Sequence, residues 1–113
     1  PIHQAICDAR NAGITLVAAA GNAKRDAAGW VPSTFPEVIA VSALADSDGK
    51  PGGKGPATSL GCDDCFATFS NYGPDIDLAA PGVDILSTCP TSRVCNAGPG
   101  LEVVGRAVQP GQH

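Results

Sequence analysis

The sequence predicts an α/β protein with a mostly parallel sheet, and three features indicate this class. The first is an apolar helical repeat over residues 1–12. The second is a run of small and apolar residues directly after it, "ITLVAAA" at residues 14–20. The third is a similar apolar run, "VIAVSAL" at residues 38–44. A helix that leads directly into a buried strand is the unit from which parallel sheets are built.

The first helix is expected to pack on the sheet through one apolar face. Ile2, Ala5, Ile6 and Ala9 recur at helical spacing, and Gly13 follows them. A glycine at this place is typical of a helix end, because it adopts the left-handed conformation that closes the last turn.

Residues 14–20 are expected to form a strand that is packed on both faces, as in a parallel sheet. The run is too short to cross a membrane, which takes about 20 apolar residues. Gly21 and Asn22 follow at its carboxyl end. Ligands of open α/β sheets bind at that end, so Asn22 is a candidate functional residue.

The rest of the chain predicts short strands, turns and irregular segments. Residues 38–44 are the second buried strand, and residues 45–65 form a Gly-, Pro- and Asp-rich exposed loop. Extended segments are expected at residues 66–73, 76–82 and 83–88, with little periodicity from Cys89 onward. One helix cannot cover both faces of a sheet, so the sequence predicts part of a domain rather than a whole one.

Composition excludes some functions. The chain has 113 residues, is 43% hydrophobic and 4% aromatic, and has a net charge of −4. An acidic chain without a basic stripe argues against nucleic-acid binding. No segment resembles a signal peptide or a membrane span, so no membrane association is expected.

The five cysteines favour disulfides and therefore an oxidising compartment. Disulfides Cys62–Cys65 and Cys89–Cys95 would each close a short loop and would leave Cys7 unpaired. Cys7 is then expected to be buried in the first helix, where it packs like a small hydrophobic residue. The alternatives are free thiols or a zinc site with four thiolates, although the second pair lacks the usual zinc spacing.

Three segments, in order, resemble subtilisin-like serine proteases, the subtilase or peptidase S8 family. They are "AICDARNAGITLVAAAGN", "VPSTFPEVIAVSAL" and "FATFSNYGPDIDLAAPGVDILST", which cover most of residues 2–88. The resemblance implies an incomplete piece of that family's three-layer fold, from the C-terminal half of the catalytic domain. Residues 1–95 would be the partial catalytic domain and residues 96–113 an irregular, divergent tail.

The resemblance gives Asn22 the role of the oxyanion-hole donor. Peptide hydrolysis passes through a tetrahedral intermediate with a negatively charged oxygen, and a fixed amide donor stabilises it without adding charge. The structural alternative is that Gly21-Asn22 is a turn that tolerates positive φ. Ser70 and Asn71 are expected to satisfy backbone groups rather than to react.

The resemblance also implies a substrate pocket, with Ala19, Ala20 and Gly21 as one wall. Pro32 matches a proline of the family that lies beside the same pocket and usually follows a cis peptide bond, and Gly29 is expected at the pocket rim. Trp30 and Val31 belong to the pocket rim or, for Trp30, to a surface anchor.

The sequence departs from the family in its triad. The Asp and His precede the oxyanion asparagine by a long stretch in the family, and only 21 residues precede Asn22 here. His3 lacks the family context and is expected to be a solvated helix residue. The nucleophile motif should fall near "GRAVQPGQH" at residues 105–113, which contains no serine. A disrupted reading frame after residue 95 is one hypothesis for this tail, and natural divergence is the other.

The sequence therefore predicts a fragment of a secreted serine endopeptidase that acts on peptide or protein substrates and is inactive alone. Alternatives are a non-catalytic subtilisin-like binding or scaffold domain, and a small module held by disulfides or zinc. The sequence predicts no metal ligand. The resemblance makes calcium possible in the parent protein, and the acidic loop offers Asp46, Asp48, Asp63 and Asp64 as oxygen donors, although a solvated loop is favoured.

Overall fold

A computed structural model describes the backbone of residues 1–87 and 101–103, and the side chains of residues 1–85. The elements are, in chain order, α1 (Ile2–Asn11), β1 (Leu16–Ala19), β2 (Val38–Ala45), β3 (Cys65–Phe66), β4 (Leu78–Pro81), β5 (Ile85–Ser87) and β6 (Leu101–Val103).

Strand β2 is the centre of the main sheet and pairs with three other strands. It runs parallel to β1, with Ala18 opposite Ala40, and parallel to β4, with Ser42 opposite Ala79. The two-residue β3 is antiparallel to the end of β2. The α/β class and the mostly parallel sheet are thus confirmed, and the sheet is small, as expected for an incomplete fold.

Helix α1 ends where the sequence predicts. Gly13 has φ +83°, its N–H donates to the Arg10 carbonyl at 2.9 Å, and the Ile14 N–H donates to the Ala9 carbonyl at 3.0 Å. These two bonds satisfy carbonyl groups that a helix end leaves free. Of the predicted apolar face, Ile6 is buried and Ala9 half-buried, while Ile2 is 56% exposed. No helix in the described part of the chain is long and apolar enough to cross a membrane.

The prediction that the first strand is packed on both faces is wrong for this chain. Strand β1 covers residues 16–19 rather than 14–20, Val17 is 63% exposed, and Ile14 before it is 55% exposed. Burial on both faces needs a covering layer on each side. The described part of the chain supplies one helix, so small apolar side chains of β1 remain in contact with water.

The hydrophobic core is built from small side chains. Ala45, Ala67 and Val83 are buried together, and Phe69 and Leu60 pack against them from the connecting segments. The long loop of residues 45–65 therefore packs on the core through Leu60, and the segment that follows it packs there through Phe69.

The region after Cys89, predicted to be irregular, contains one strand that the sequence did not reveal. Strand β6 is parallel to β5, with Leu86 opposite Glu102. Three residues are too few to show an alternating pattern, which explains the error. Residues 88–100 and 104–113, including the proposed Cys89–Cys95 pair and most of the tail, lie outside the described residues.

The exposed sheet predicts weak folding cooperativity. We expect the 113-residue chain to unfold over a broad temperature range and to bind a dye that fluoresces on apolar surfaces, because Val17, Leu78 and Ile14 contact water. Circular dichroism and dye fluorescence measure this. A sharp transition with equal calorimetric and van't Hoff enthalpies would contradict it.

Candidate functional site

A cavity of about 470 Å³ lies across the parallel strands, next to the carboxyl end of β1. Ala19, Ala20, Gly21 and Asn22 line it together with residues of β2 and the segment from β4 to Ile85. The lining residues are mainly small or apolar, and Asn22 and Ser42 are the two among them that have polar side chains. An apolar cavity with a few polar groups at its edge is typical of a ligand site.

Asn22 is exposed and follows β1 directly, as the sequence predicts. Within the residues that the structure describes, its carboxamide makes no hydrogen bond to protein atoms. In the described part of the chain, the side chain of this exposed residue is therefore not used to hold the loop. Asparagines in turns usually form hydrogen bonds to their own backbone, and the side chain of Asn22 forms none in the described residues.

The loop that carries Asn22 is wrapped around the side chain of Asn71, which is completely buried. The Asn71 Nδ2 donates to the carbonyl of Ala20 at 2.9 Å. Its Oδ1 accepts from the amide of Ala23 at 3.0 Å and from that of Arg25 at 3.2 Å. One carboxamide thus fixes the backbone on both sides of Asn22. The prediction that Asn71 satisfies backbone groups is confirmed.

Main-chain bonds reinforce this arrangement. The Asn71 N–H donates to the Gly21 carbonyl at 2.8 Å, and the Lys24 N–H donates to the Phe69 carbonyl at 2.9 Å. The Ser70 Oγ accepts from the amide of Ala43 on β2 at 2.9 Å and donates to the Asn71 carbonyl at 3.1 Å. The predicted structural role of Ser70 is therefore also confirmed, and its hydroxyl links β2 to the backbone of Asn71.

Gly21 cannot be replaced by a larger residue without a clash. It has φ +104°, and a Cβ atom there would lie 2.5 Å from both the Asn71 Nδ2 and the Trp30 Nε1. Trp30 therefore lies against Gly21, with the guanidinium of Arg25 5.7 Å from the centroid of its ring. This contact agrees with the predicted position of Trp30 beside the pocket.

Gly29 and Pro32 do not line the cavity. Both are exposed, the Gly29 N–H donates to Thr34 Oγ1 at 3.4 Å, and the Val31–Pro32 peptide bond is cis. The segment of residues 29–32 reaches Gly21 through the indole of Trp30. The substrate-binding role of Gly29 and Pro32 stays a prediction.

The acidic loop is organised by its own backbone. The carboxylate of Asp63, predicted to be solvated, is buried and accepts hydrogen bonds from Ser47 and Gly55. These bonds, with the amide of Ser47 first, hold the pKa of the Asp63 carboxyl below its ordinary value. The expectation of a solvated carboxylate is wrong here because the glycine-rich loop folds around it.

The acidic loop brings three carboxylates together. Asp46, Asp63 and Asp64 offer oxygens within 4.8 Å of one another. Amides of the loop donate to each of them, for example those of Gly52 and Gly53 to Asp64 Oδ2. Calcium takes six to eight oxygen ligands, so a site here would need further donors, and calcium binding stays a prediction for the parent protein.

One predicted disulfide is present. Cys62 and Cys65 are bonded, with their Cα atoms 5.1 Å apart, which excludes them from a zinc site with four thiolates. Cys7 carries a free thiol that is half-buried rather than enclosed. It lies 3.8 Å from Glu37 Oε1, so it has a polar neighbour instead of the apolar surroundings that the sequence predicts.

Comparisons with known proteins agree with this architecture. The model of the subtilase family matches residues 1–102. The chain is 35% identical to subtilisin-like protease 4 of Trichophyton equinum over 88 residues. These residues make up 78% of this chain and 18% of that protein. It is 43% identical over 82 residues to a cuticle-degrading serine protease of Arthrobotrys oligospora, 73% of this chain and 16% of that protein.

The fold and these matches define a piece of an α/β domain of the serine protease class. The chain belongs to the subtilase family of serine proteases. It spans less than a fifth of the length of these relatives, 18% and 16%.

Replacing Asn71 should open the Asn22 loop. In Asn71→Ala, the amides of Ala23 and Arg25 lose their acceptor at a cost of about 1–3 kcal/mol each, so their hydrogen exchange should accelerate about 5- to 150-fold. Exchange measured by NMR checks this. The matched control is Ser70→Ala, which should affect the Ala43 amide instead. Unchanged exchange at Ala23 and Arg25 would contradict the role of Asn71.

The acidic loop should loosen in acid. Because the folded pKa of Asp63 is lowered, its ionised form stabilises the loop above its unfolded pKa of about 3.9. This stabilisation is lost as the pH falls through the lower folded pKa. We expect the protection factors of the Ser47 and Gly55 amides to fall below about pH 3.9. Asp63→Asn should abolish this pH dependence, whereas Asp8→Asn should retain it.

Proposed function

We propose that this chain is part of a serine endopeptidase in which Asn22 donates a hydrogen bond to the oxyanion of the tetrahedral intermediate. The observation that carries the proposal is the open carboxamide of Asn22 at the cavity edge, on a loop fixed by Asn71. A donor held in place before the reaction stabilises the transition state without the cost of reorganisation.

The substrate would be a peptide or protein, with its side chain against the small residues of the strand. Ala19, Ala20 and Gly21 present little volume to the cavity, which leaves room for a substrate side chain. Gly29 and Pro32 would contribute from the segment that contacts Gly21 through Trp30. Residues 1–95 would form the partial catalytic domain, and residues 96–113 its divergent tail.

The acid, the histidine and the serine of the mechanism must come from other residues of a complete protease. In such a protease the serine would attack the carbonyl carbon while the histidine takes its proton, and the acyl-enzyme would then be hydrolysed. Asn22 would contribute to both tetrahedral steps. The 113-residue chain alone should have no peptidase activity.

We further propose an extracellular location. The Cys62–Cys65 disulfide fits an oxidising compartment, and one relative is named a cuticle-degrading serine protease. Nucleic-acid and membrane partners have no supporting feature in the sequence.

A segment exchange tests the proposal. The 82 aligned residues of this chain would replace their counterparts in the Arthrobotrys oligospora protease, which supplies the rest of the domain. We expect a secreted, active peptidase. Asn22→Ala in this chimera should lower kcat by about 10²–10³-fold, the loss known for such a donor in this family, with little change in KM.

Asn11→Ala is the matched control, because Asn11 is an exposed asparagine at the end of α1, away from the cavity. It should leave kcat and KM unchanged. A folded but inactive chimera would favour the non-catalytic binding or scaffold domain. An active chimera that is insensitive to Asn22→Ala would contradict the oxyanion role alone.

A further inference from the structure

A cluster of three different metal-ligating side chains lies away from the cavity, between α1 and the start of β2. It consists of His3 and Cys7 on α1 and Glu37, which directly precedes β2. One potential ligand atom from each residue lies within 4.8 Å of the other two. Nothing in the proposed peptidase mechanism uses these residues.

We propose that His3, Cys7 and Glu37 form a zinc-binding site. The ligand atoms are His3 Nε2, Cys7 Sγ and the carboxylate of Glu37, and water takes the fourth position. Three protein ligands with one water is a common tetrahedral arrangement for Zn²⁺.

The helix places two of the ligands on one face. His3 and Cys7 are four residues apart on α1, so their side chains project to the same side, one turn above the other. Glu37 reaches this face from the segment before β2, with Oε2 3.1 Å from His3 Nε2 and Oε1 3.8 Å from Cys7 Sγ.

The ligand atoms lie close enough together to share one ion. Ligands about 2.0–2.3 Å from a tetrahedral zinc lie about 3.3–3.6 Å from one another, by the geometry of the tetrahedron. The observed separations, 3.1 Å from His3 Nε2 and 3.8 Å from Cys7 Sγ, are to the two different oxygens of Glu37. Rotation of the carboxylate would bring one oxygen between the other two ligands, and one potential ligand atom of each residue already lies within 4.8 Å of the other two.

The neighbours hold the site in place. The ring of His3 stacks on Phe35, with ring centroids 4.3 Å apart and planes 3° from parallel. This contact directs Nε2 toward Glu37 while the histidine stays about half-exposed, at 51%. Solvent can therefore supply the fourth ligand, and the ion has an entry path.

The chemistry of the donors selects zinc over calcium or magnesium. Thiolate and imidazole are ligands for zinc, whereas calcium and magnesium prefer oxygen alone. On binding, the Cys7 thiol releases its proton to solvent, and the thiolate and the Glu37 carboxylate together balance the two positive charges. Burial and then the charges of Glu37 and Asp8 raise the pKa of Cys7, while the charge of Arg10 lowers it, so zinc itself must displace the thiol proton.

The first test is titration with Co²⁺, which reports a thiolate ligand by a charge-transfer absorption band, followed by competition with Zn²⁺. The full 113-residue chain is used with Cys89→Ser and Cys95→Ser, which leaves Cys7 as the free thiol beside the Cys62–Cys65 disulfide. We expect one equivalent of Co²⁺, displaced by Zn²⁺. Absence of stoichiometric binding would overturn the proposal.

Single substitutions identify the ligands. Cys7→Ser should abolish the thiolate band, and His3→Gln and Glu37→Gln should each weaken affinity at least about tenfold, since losing even an outer partner costs about 10–100-fold. Asp8→Asn is the control from the same helix and should change affinity much less. Equal affinity in Cys7→Ser and the parent chain would refute the site.

Folding is followed separately, so that loss of binding is not mistaken for loss of α1. The helical circular dichroism signal of each variant is compared with that of the parent chain without metal. X-ray absorption at the zinc edge then gives an independent readout, in which we expect one sulfur among nitrogen and oxygen ligands. A zinc ion without a sulfur ligand, in the chain that retains Cys7 and its helix, would contradict the assignment.

Discussion

The hydrogen bonds of the buried Asn71 carboxamide are the constraint on which the candidate site depends. The side chain donates to the Ala20 carbonyl and accepts from two amides of the loop beyond Asn22. An asparagine can do both at once, because its amide carries donors and an acceptor without charge. Aspartate would lack the donor and would place a charge in a buried position, and a hydrophobic residue would leave three polar groups without partners.

This constraint explains how a strand end becomes a site. The sheet fixes residues up to Ala20, whose amide still donates to Val41 on β2, and Asn71 fixes the backbone from Ala20 to Arg25. Asn22 lies between these two supports with its own side chain open to the cavity. The polar groups that hold the loop are thus separate from the one offered to a ligand. A glycine is required at position 21, because the side chains of Asn71 and Trp30 both approach its backbone too closely for a Cβ atom.

The sequence predicted structure that depends on neighbouring residues, but few of the contacts between residues far apart in the chain. The helix, its end at Gly13 and the three main parallel strands follow from periodicity and a helix-closing glycine. The partners of Asn71, 46 to 51 positions away, could not be predicted, because no local pattern specifies a long-range hydrogen bond. The contact of Glu37 with His3 and Cys7 was missed for the same reason, although the four-residue spacing of His3 and Cys7 was a signal. The exposure of β1 depends on the covering layers, which the pattern of β1 itself does not describe.

The strand pairing of β1 affects whether this polypeptide aggregates or is degraded in a cell. Within the described part of the chain, β1 pairs only with β2, so its other edge carries backbone groups that are not bonded to a neighbouring strand. Beside that edge, Val17 presents an apolar side chain to water. An open strand edge next to apolar surface is a template for joining another chain and the kind of surface that chaperones and degradative proteases recognise. The same strand that positions Asn22 would therefore direct an unfinished domain toward aggregation or destruction until a neighbouring strand covers it.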